Sequence, residues 1–136
     1  IALGIAISQS DERSIVCIDG DGALIMHMGS LATVGKLKPD NFYHILINNH
    51  IHESVGGQKT AVEFVDINKL IKSNGYKFVY SVKNASKLKS VIKDFLQKEG
   101  PVFLEIIVKP GTRDDLGRPT IKPKDNKESF MDFLKK

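Results

Sequence analysis

Cysteine is nearly absent from this sequence, and long apolar stretches are missing. The single cysteine, Cys17, excludes a disulfide within the chain and suits a reducing compartment. It lies in the apolar run SIVCI without a neighbouring base or cation, which favours a buried structural thiol over a nucleophile. No apolar run approaches the roughly 20 residues that cross a bilayer, and the opening IALGIAIS lacks the features of a signal peptide. We therefore expect a cytoplasmic protein with no membrane segment.

Clustered positive charge is also lacking, although the formal net charge is +4. The lysines of two helical patterns alternate with apolar positions: Lys69, Lys72, Lys87, Lys89, Lys93 and Lys98. This spacing is typical of solvated helix faces. Because the chain has neither a basic block nor an aromatic series for stacking bases, we expect no nucleic-acid partner.

The chain has the size and composition of one soluble domain. Its 136 residues are 41% apolar and 26% charged, enough for one core and too few for two. The first residue is Ile1, and IALGIAIS resembles the later part of a helix. We therefore expect a fragment of a longer polypeptide.

Short β-rich runs alternate with helical patterns along the chain. The predicted strands are 15–18, 43–47, 78–82 and 102–108, and the predicted helices are 23–37, 67–74, 84–98 and 126–134. Asp66 is the expected cap of the second helix and Gly75 its left-handed terminator. Residues 110–123 are rich in Gly, Pro and charge, which predicts an ordered arm. This alternation predicts a three-layer α/β domain in which helices flank a parallel sheet.

Two polar motifs follow predicted strands. Gly20-Asp21-Gly22 ends the first strand and Asn48-Asn49 ends the second, with residues 23–47 between them. The carboxyl ends of parallel strands lie on one edge of a sheet, where ligands bind. The two motifs are therefore expected to be neighbours in space.

The first motif has the chemistry that a metal-bound diphosphate needs. Gly20 and Gly22 allow close backbone approach and unusual dihedral angles, and Asp21 offers a hard anionic oxygen to Mg²⁺. Ala23 begins a segment whose free N–H groups favour an anion. By itself, Gly-Asp-Gly is equally typical of a surface turn. No Gly-Lys-Ser/Thr follows it, and it does not match the dinucleotide fingerprint Gly-x-Gly-x-x-Gly.

The paired motifs resemble the signature of thiamine diphosphate (ThDP) enzymes. The blocks IDGDGALIMHMGSLATVG, INNHIHESVGGQKT and PGTRDDLGRPT resemble phosphonopyruvate decarboxylases, relatives of sulfopyruvate decarboxylase, over nearly the whole chain. The resemblance implies the ThDP-binding fold of a diphosphate-binding domain. It further implies Mg²⁺ ligands at Asp21, Asn49 and the Ile51 carbonyl, and diphosphate contacts at Gly20, Gly22 and Ala23.

Several residues after the asparagine pair have two readings. Relatives commonly have Gly where this chain has His50, so a left-handed backbone there would be strained, although His tolerates it better than most residues. We expect His50 to be a loop residue and His27 to pack within the first helix. Three further residues of this loop lie near the expected reactive end of the cofactor: His52, Glu53 and Ser54. They are candidate catalytic residues, or polar loop residues around Gly56-Gly57.

The resemblance implies decarboxylation of 3-phosphonopyruvate to phosphonoacetaldehyde and CO₂. Arg113 and Arg118 are candidates for binding the phosphonate, or for pairing with Asp114 and Asp115 to order the arm. The pyrimidine-binding domain of these enzymes is absent, so it is expected upstream in the same chain or on a partner subunit, within an oligomer. This chain alone is expected to be inactive. The alternatives are the small subunit of a sulfopyruvate decarboxylase and a non-catalytic ThDP-binding module.

Overall fold

A computed structural model describes residues 1–9 and 13–135 of the chain. The helices are α1 (Ala2–Ser8), α2 (Asp21–Met26), α3 (Gly29–Leu37), α4 (Ile67–Ser73), α5 (Ala85–Phe95) and α6 (Pro123–Leu134). The strands are β1 (Ile15–Gly20), β2 (Phe42–Asn48), β3 (Ile51–His52), β4 (Gln58–Lys59), β5 (Phe78–Val82) and β6 (Val102–Ile107). Within these ranges, no helix is long and apolar enough to cross a membrane.

Four of the strands form one parallel sheet. Their order is β1-β2-β6-β5, and each neighbouring pair runs parallel. The predicted parallel α/β sheet is thus confirmed. β3 and β4 form a separate antiparallel hairpin that the sequence pattern did not predict.

Apolar side chains pack on both faces of the sheet, although Val16 and Ile18 on one face of β1 are exposed. On one face, residues from α1, α2, α3 and α4 pack against Phe42, Leu46 and Phe103. On the other, Phe95 of α5 packs with Tyr43, Val102 and Leu104. This arrangement confirms three layers, and it leaves the carboxyl edge of the strands free to carry polar groups.

Local signals determine several helix ends. Asp66 accepts a hydrogen bond from the Lys69 N–H at 3.0 Å, and Asn84 accepts one from the Ser86 N–H at 2.9 Å. Gly75 has φ +86°, a conformation that glycine adopts without the strain of a Cβ. The predicted cap at Asp66 and terminator at Gly75 are therefore confirmed.

Two helix predictions were wrong in detail. The helix expected over 23–37 is two helices, because the His27 carbonyl accepts the Ser30 N–H and a tight turn redirects the chain. His27 lies at the exposed end of α2, so it does not pack within a helix as expected. α6 begins at Pro123 and not near residue 126, since proline suits the first position of a helix.

Candidate functional site

The two polar motifs lie side by side at the carboxyl edge of the sheet. β1 and β2 pair in parallel, with Gly20 opposite Ile47. Asp21 therefore follows one strand end while Asn48 and Asn49 lie at the neighbouring one. This is the juxtaposition expected from the sequence.

Asp21 is the buried acidic group of this edge. It is 1% exposed, and its Oδ2 accepts a hydrogen bond from the Thr60 hydroxyl at 2.5 Å. Among residues 1–9 and 13–135, no basic side chain forms a salt bridge with it. A buried carboxylate is costly unless a cation or several hydrogen bonds compensate it, so this group suits a bound metal. Thr60 was not singled out from the sequence, because nothing local ties it to a residue 39 positions earlier.

A neighbouring side chain leaves no room for a Cβ at Gly22. A Cβ at this position would overlap Nδ1 and Cε1 of the His52 ring. Neither Gly20 nor Gly22 belongs to the glycines with positive φ, so the expected unusual dihedral angles were wrong. The need at Gly22 is for space, because the β3 loop folds directly over the first turn of α2.

The asparagine loop presents oxygen atoms on one side. Asn49 Oδ1 accepts the Ile51 N–H at 3.2 Å, and the His50 and His52 carbonyls accept N–H groups from Thr60 and Gly57. Successive carbonyls of a strand point in opposite directions, so the Ile51 carbonyl points away from the hairpin partner, on the side of its own N–H. His50 has φ +64°, which is the left-handed conformation anticipated where relatives have Gly.

The first asparagine of the pair has a different role from the second. Asn48 is buried and donates to Glu105 Oε1 at 2.8 Å, while Ser81 donates to Glu105 Oε2 at 2.7 Å. Its Oδ1 accepts the His50 N–H at 3.2 Å. Both asparagine amides are hydrogen-bonded, but Asn48 is buried within the sheet, whereas Asn49 is half-buried at the strand end and is therefore the more accessible metal-ligand candidate.

Glu53 and Ser54 lie in the exposed 3₁₀ turn 53–55. Glu53 accepts hydrogen bonds from the Asn49 side chain at 2.7 Å and from the Gly111 N–H at 2.5 Å. Both of its carboxylate oxygens are therefore engaged. Ser54 is exposed beside it.

The arm that follows β6 carries the two candidate arginines on its surface. Arg113 and Arg118 are exposed, and Arg113 Nε lies 3.4 Å from Asp115 Oδ1. Pairing within the arm, one of the two alternatives, is thus the arrangement seen for Arg113. An exposed pair of this kind contributes little stability, so Asp115 holds Arg113 only weakly.

A second polar cluster lies further back on β1 and β2. His44 Nε2 lies 2.8 Å from Asp19 Oδ2, and its Nδ1 lies 3.0 Å from the Tyr76 hydroxyl. A carboxylate only accepts hydrogen bonds, so Nε2 carries the proton and Tyr76 donates to Nδ1. The hydrogen bond from His44 lowers the pKa of Asp19.

The neighbouring Cys17 thiol has low reactivity. Cys17 Sγ lies 3.9 Å from Asp19 Oδ2, and the residue is half-buried. Burial raises the pKa of the Cys17 thiol, and the charge of Asp19 raises it further. A thiol that stays protonated is a poor nucleophile, in keeping with the structural role expected for it.

The donor set at the strand edge fits a hard divalent cation. Asp21 brings a carboxylate, Asn49 an amide oxygen and Ile51 a backbone carbonyl, which are oxygen ligands of the kind that Mg²⁺ accepts. Asp21 is the first residue of α2, directly after β1, Asn49 lies between β2 and β3, and Ile51 is the first residue of β3. The structure therefore brings the predicted ligand residues to one edge of the sheet, and their role as metal ligands stays a prediction.

Comparison with known proteins gives a consistent result. The model of the family "Thiamine pyrophosphate enzyme, C-terminal TPP binding domain" matches residues 1–106. Phosphonopyruvate decarboxylase from Streptomyces viridochromogenes is 33% identical over 132 residues, 97% of this chain and 33% of that protein. Sulfopyruvate decarboxylase subunit beta from Methanococcus maripaludis is 30% identical over 135 residues, 99% of this chain and 72% of the subunit.

A solved structure shares the fold. It is assigned to a thiamin diphosphate-dependent enzyme from Mycobacterium smegmatis and has a TM-score of 0.63 at 23% identity, covering 81% of this chain and 20% of that one. The chain spans about a third of the phosphonopyruvate decarboxylases that it matches. It belongs to the family of C-terminal thiamine pyrophosphate-binding domains of thiamine pyrophosphate enzymes.

Proposed function

We propose that this chain supplies the diphosphate- and metal-binding half of an active site that decarboxylates 3-phosphonopyruvate to phosphonoacetaldehyde and CO₂. The observation that carries the proposal is the buried Asp21 carboxylate, which has Thr60 as its hydrogen-bond partner at the carboxyl edge of the sheet. Membership of the thiamine pyrophosphate-binding family supports the choice of cofactor. The proposed setting is the cytoplasm, where the single thiol stays reduced.

In the proposed site, Mg²⁺ is held by Asp21, Asn49 and the Ile51 carbonyl. The backbone of Gly20, Gly22 and Ala23 receives the diphosphate, because these positions put little or no side chain between the ligand and the N–H groups. When bound, thiamine diphosphate supplies the electron sink for loss of CO₂ from a 2-oxo acid. Asp21 and Asn49 orient that group without taking part in bond changes.

Candidate catalytic residues lie in the loop that follows the asparagines. The His52 ring packs against the Cα of Gly22, so the wall of the crevice includes an imidazole beside the proposed diphosphate site. The His52 imidazole can form a hydrogen bond with a bound ligand, and the Ser54 hydroxyl can donate one to a substrate oxygen. Glu53 remains the third candidate, with both oxygens in use.

The other half of the site is a pyrimidine-binding domain, fused to this chain or on a partner subunit of an oligomer. We propose Arg113 and Arg118 as the groups that receive the phosphonate, since a guanidinium binds such oxygens in a bidentate manner. The second candidate function is the β subunit of a sulfopyruvate decarboxylase. The chain spans 72% of one such subunit, and this supports a separate partner chain. A ThDP-binding module without turnover is the third possibility.

The metal assignment is tested with Asp21→Ala in the complete enzyme. The substitution removes the charged ligand of the proposed set, so calorimetry should show metal-dependent ThDP affinity falling by orders of magnitude. Asp114→Ala, an exposed position in the arm, is the matched control and should bind as the wild type does. Unchanged affinity in Asp21→Ala would refute the assignment.

The reaction is tested by supplying the missing half. The chain with its pyrimidine-binding partner is assayed for CO₂ release from 3-phosphonopyruvate and from 3-sulfopyruvate. The phosphonate proposal predicts the higher kcat/KM on the first, and the reverse order would favour the sulfonate alternative. ThDP binding without turnover of either would point to the non-catalytic module. Release of CO₂ by the purified chain alone would contradict the need for a second domain.

A further inference from the structure

The Glu53 carboxylate bridges two segments that are far apart in the sequence. Its Oε2 accepts the Asn49 side-chain N–H at 2.7 Å, and its Oε1 accepts the Gly111 N–H at 2.5 Å. Asn49 belongs to the segment 49–51 that holds two of the proposed metal ligands, which we call the metal loop. Gly111 belongs to the arm that carries Arg113. One exposed carboxylate thus connects the loop and the arm through charge-assisted hydrogen bonds.

The contact with Glu53 determines which way the Asn49 amide faces. A carboxylate can only accept, so Asn49 must present its NH₂ group to Glu53. The Ile51 N–H can only donate, so it selects Oδ1 on the other side. Together these partners orient Oδ1 toward the side of the Ile51 carbonyl, where the cation is proposed. Outer partners that hold a metal ligand in this way commonly change metal affinity by 10–100-fold when removed.

The contact with Gly111 determines where the arm leaves the sheet. The Val108 N–H donates to the Asn48 carbonyl at 2.8 Å, so the chain passes beside the asparagine pair. Gly111 follows three residues later with φ +125°, a conformation that side chains rarely adopt. Glu53 holds this turn, and Arg113 lies two residues beyond it. The position of the proposed phosphonate-binding residue therefore depends on Glu53.

We infer that Glu53 is a positioning residue that joins the metal loop to the arm, so that metal affinity and order of the arm rise and fall together. It acts through Asn49 and Gly111 and does not need to touch the reacting atoms. The metal part of the inference rests on the proposed function. The contact between Glu53 and the arm stands on the hydrogen bonds within the protein.

The test uses Glu53→Gln in the complete enzyme. Glutamine has the same shape but only one acceptor oxygen, so it can satisfy Asn49 or Gly111 and not both. Titration with Mn²⁺ in the presence of ThDP, followed by electron paramagnetic resonance, should show about 10–100-fold weaker binding. Raised Mg²⁺ should restore much of kcat, which a loss of catalytic chemistry would not allow. Amide exchange at Gly111 should become about tenfold faster.

Two further variants make the result interpretable. Glu53→Asp keeps the charge but is one methylene shorter, so it should lose the bridge while preserving the local charge. Glu63→Gln alters another exposed glutamate, on the nearby 3₁₀ turn 61–64, and should match the wild type in metal affinity and amide exchange. Circular dichroism checks that each variant is folded.

The outcomes separate this inference from the proposed function. Unchanged Mn²⁺ affinity and Gly111 exchange, with activity lost at every Mg²⁺ concentration, would overturn the inference and make Glu53 a catalytic residue. A wild-type enzyme that binds no Mn²⁺ would refute the proposed function and the metal part of the inference. In that case, faster Gly111 exchange in Glu53→Gln would still support the contact with the arm.

Discussion

Gly22→Ala tests the contact between the β3 loop and α2, the packing that brings the Gly-Asp-Gly motif next to the loop after the asparagine pair. The new Cβ overlaps Nδ1 and Cε1 of His52, while Cγ of that ring lies at 3.4 Å, an ordinary contact distance. The near edge of the ring must therefore swing away while its base stays in place. Because His52 is half-buried, its ring can rotate toward solvent, but it must do so against the packing of the β3 loop.

Two opposing terms set the size of the effect. Forcing an extra carbon into a packed site costs about 1–3 kcal/mol of unfolding free energy. Gly22 lies within α2, where alanine is favoured over glycine by about 1 kcal/mol. The net change expected for Gly22→Ala is a decrease of about 0–2 kcal/mol in the free energy of unfolding. With His52→Ala in the background, the overlap is gone and the same substitution should stabilise the fold.

The assay is a double-mutant cycle from urea unfolding curves. Wild type, Gly22→Ala, His52→Ala and the double variant are compared, and the expected coupling is about 1–3 kcal/mol. Gly29→Ala is the matched control, because an added Cβ there meets open space. Its effect should be the same with and without His52. A coupling for Gly22 below about 0.5 kcal/mol, the usual limit of additivity, would refute the packing argument.

Three further predictions concern other parts of the chain. Thr60→Val removes the hydrogen bond to the buried Asp21 and should cost about 1.5–3 kcal/mol in urea unfolding, whereas the exposed Thr120→Val should cost almost nothing. Arg113→Ala and Arg118→Ala should each lower kcat/KM for phosphonopyruvate about tenfold to a hundredfold and spare pyruvate, and equal losses on both substrates would assign the arginines a structural role. Because a hydrogen bond from His44 holds the pKa of Asp19 below its ordinary value, the stability from this carboxylate is present above about pH 4 and is lost as the pH falls through the lower, folded-state pKa. Asp19→Asn should therefore flatten the fall in unfolding free energy below about pH 4, and a curve parallel to that of the wild type would contradict the assignment.

The sequence by itself determined the architecture and the juxtaposition of the two polar motifs at one edge of the sheet. Strand β5 matches its predicted bounds, and β1, β2 and β6 differ by one or two residues at their ends. These elements were predictable because apolar periodicity and capping residues such as Asp66 are local signals. The candidate metal residues, Asp21 and Asn49, followed from motifs at strand ends, because parallel strands bring their carboxyl ends to one edge.

Only the tertiary structure decided how these residues are supported. Asp21 meets Thr60 across 39 positions of sequence, and Glu53 meets Gly111 across 58. The space needed at Gly22 is set by His52, and the break at His27 is set by the packing of α2 and α3 on the sheet. None of these contacts has a signal in the neighbouring sequence, because each partner is brought in by a separate element of the fold. Residue type and spacing could therefore indicate a candidate site, but its supporting hydrogen bonds and steric limits arise only when the strands pair and the loops fold over their ends.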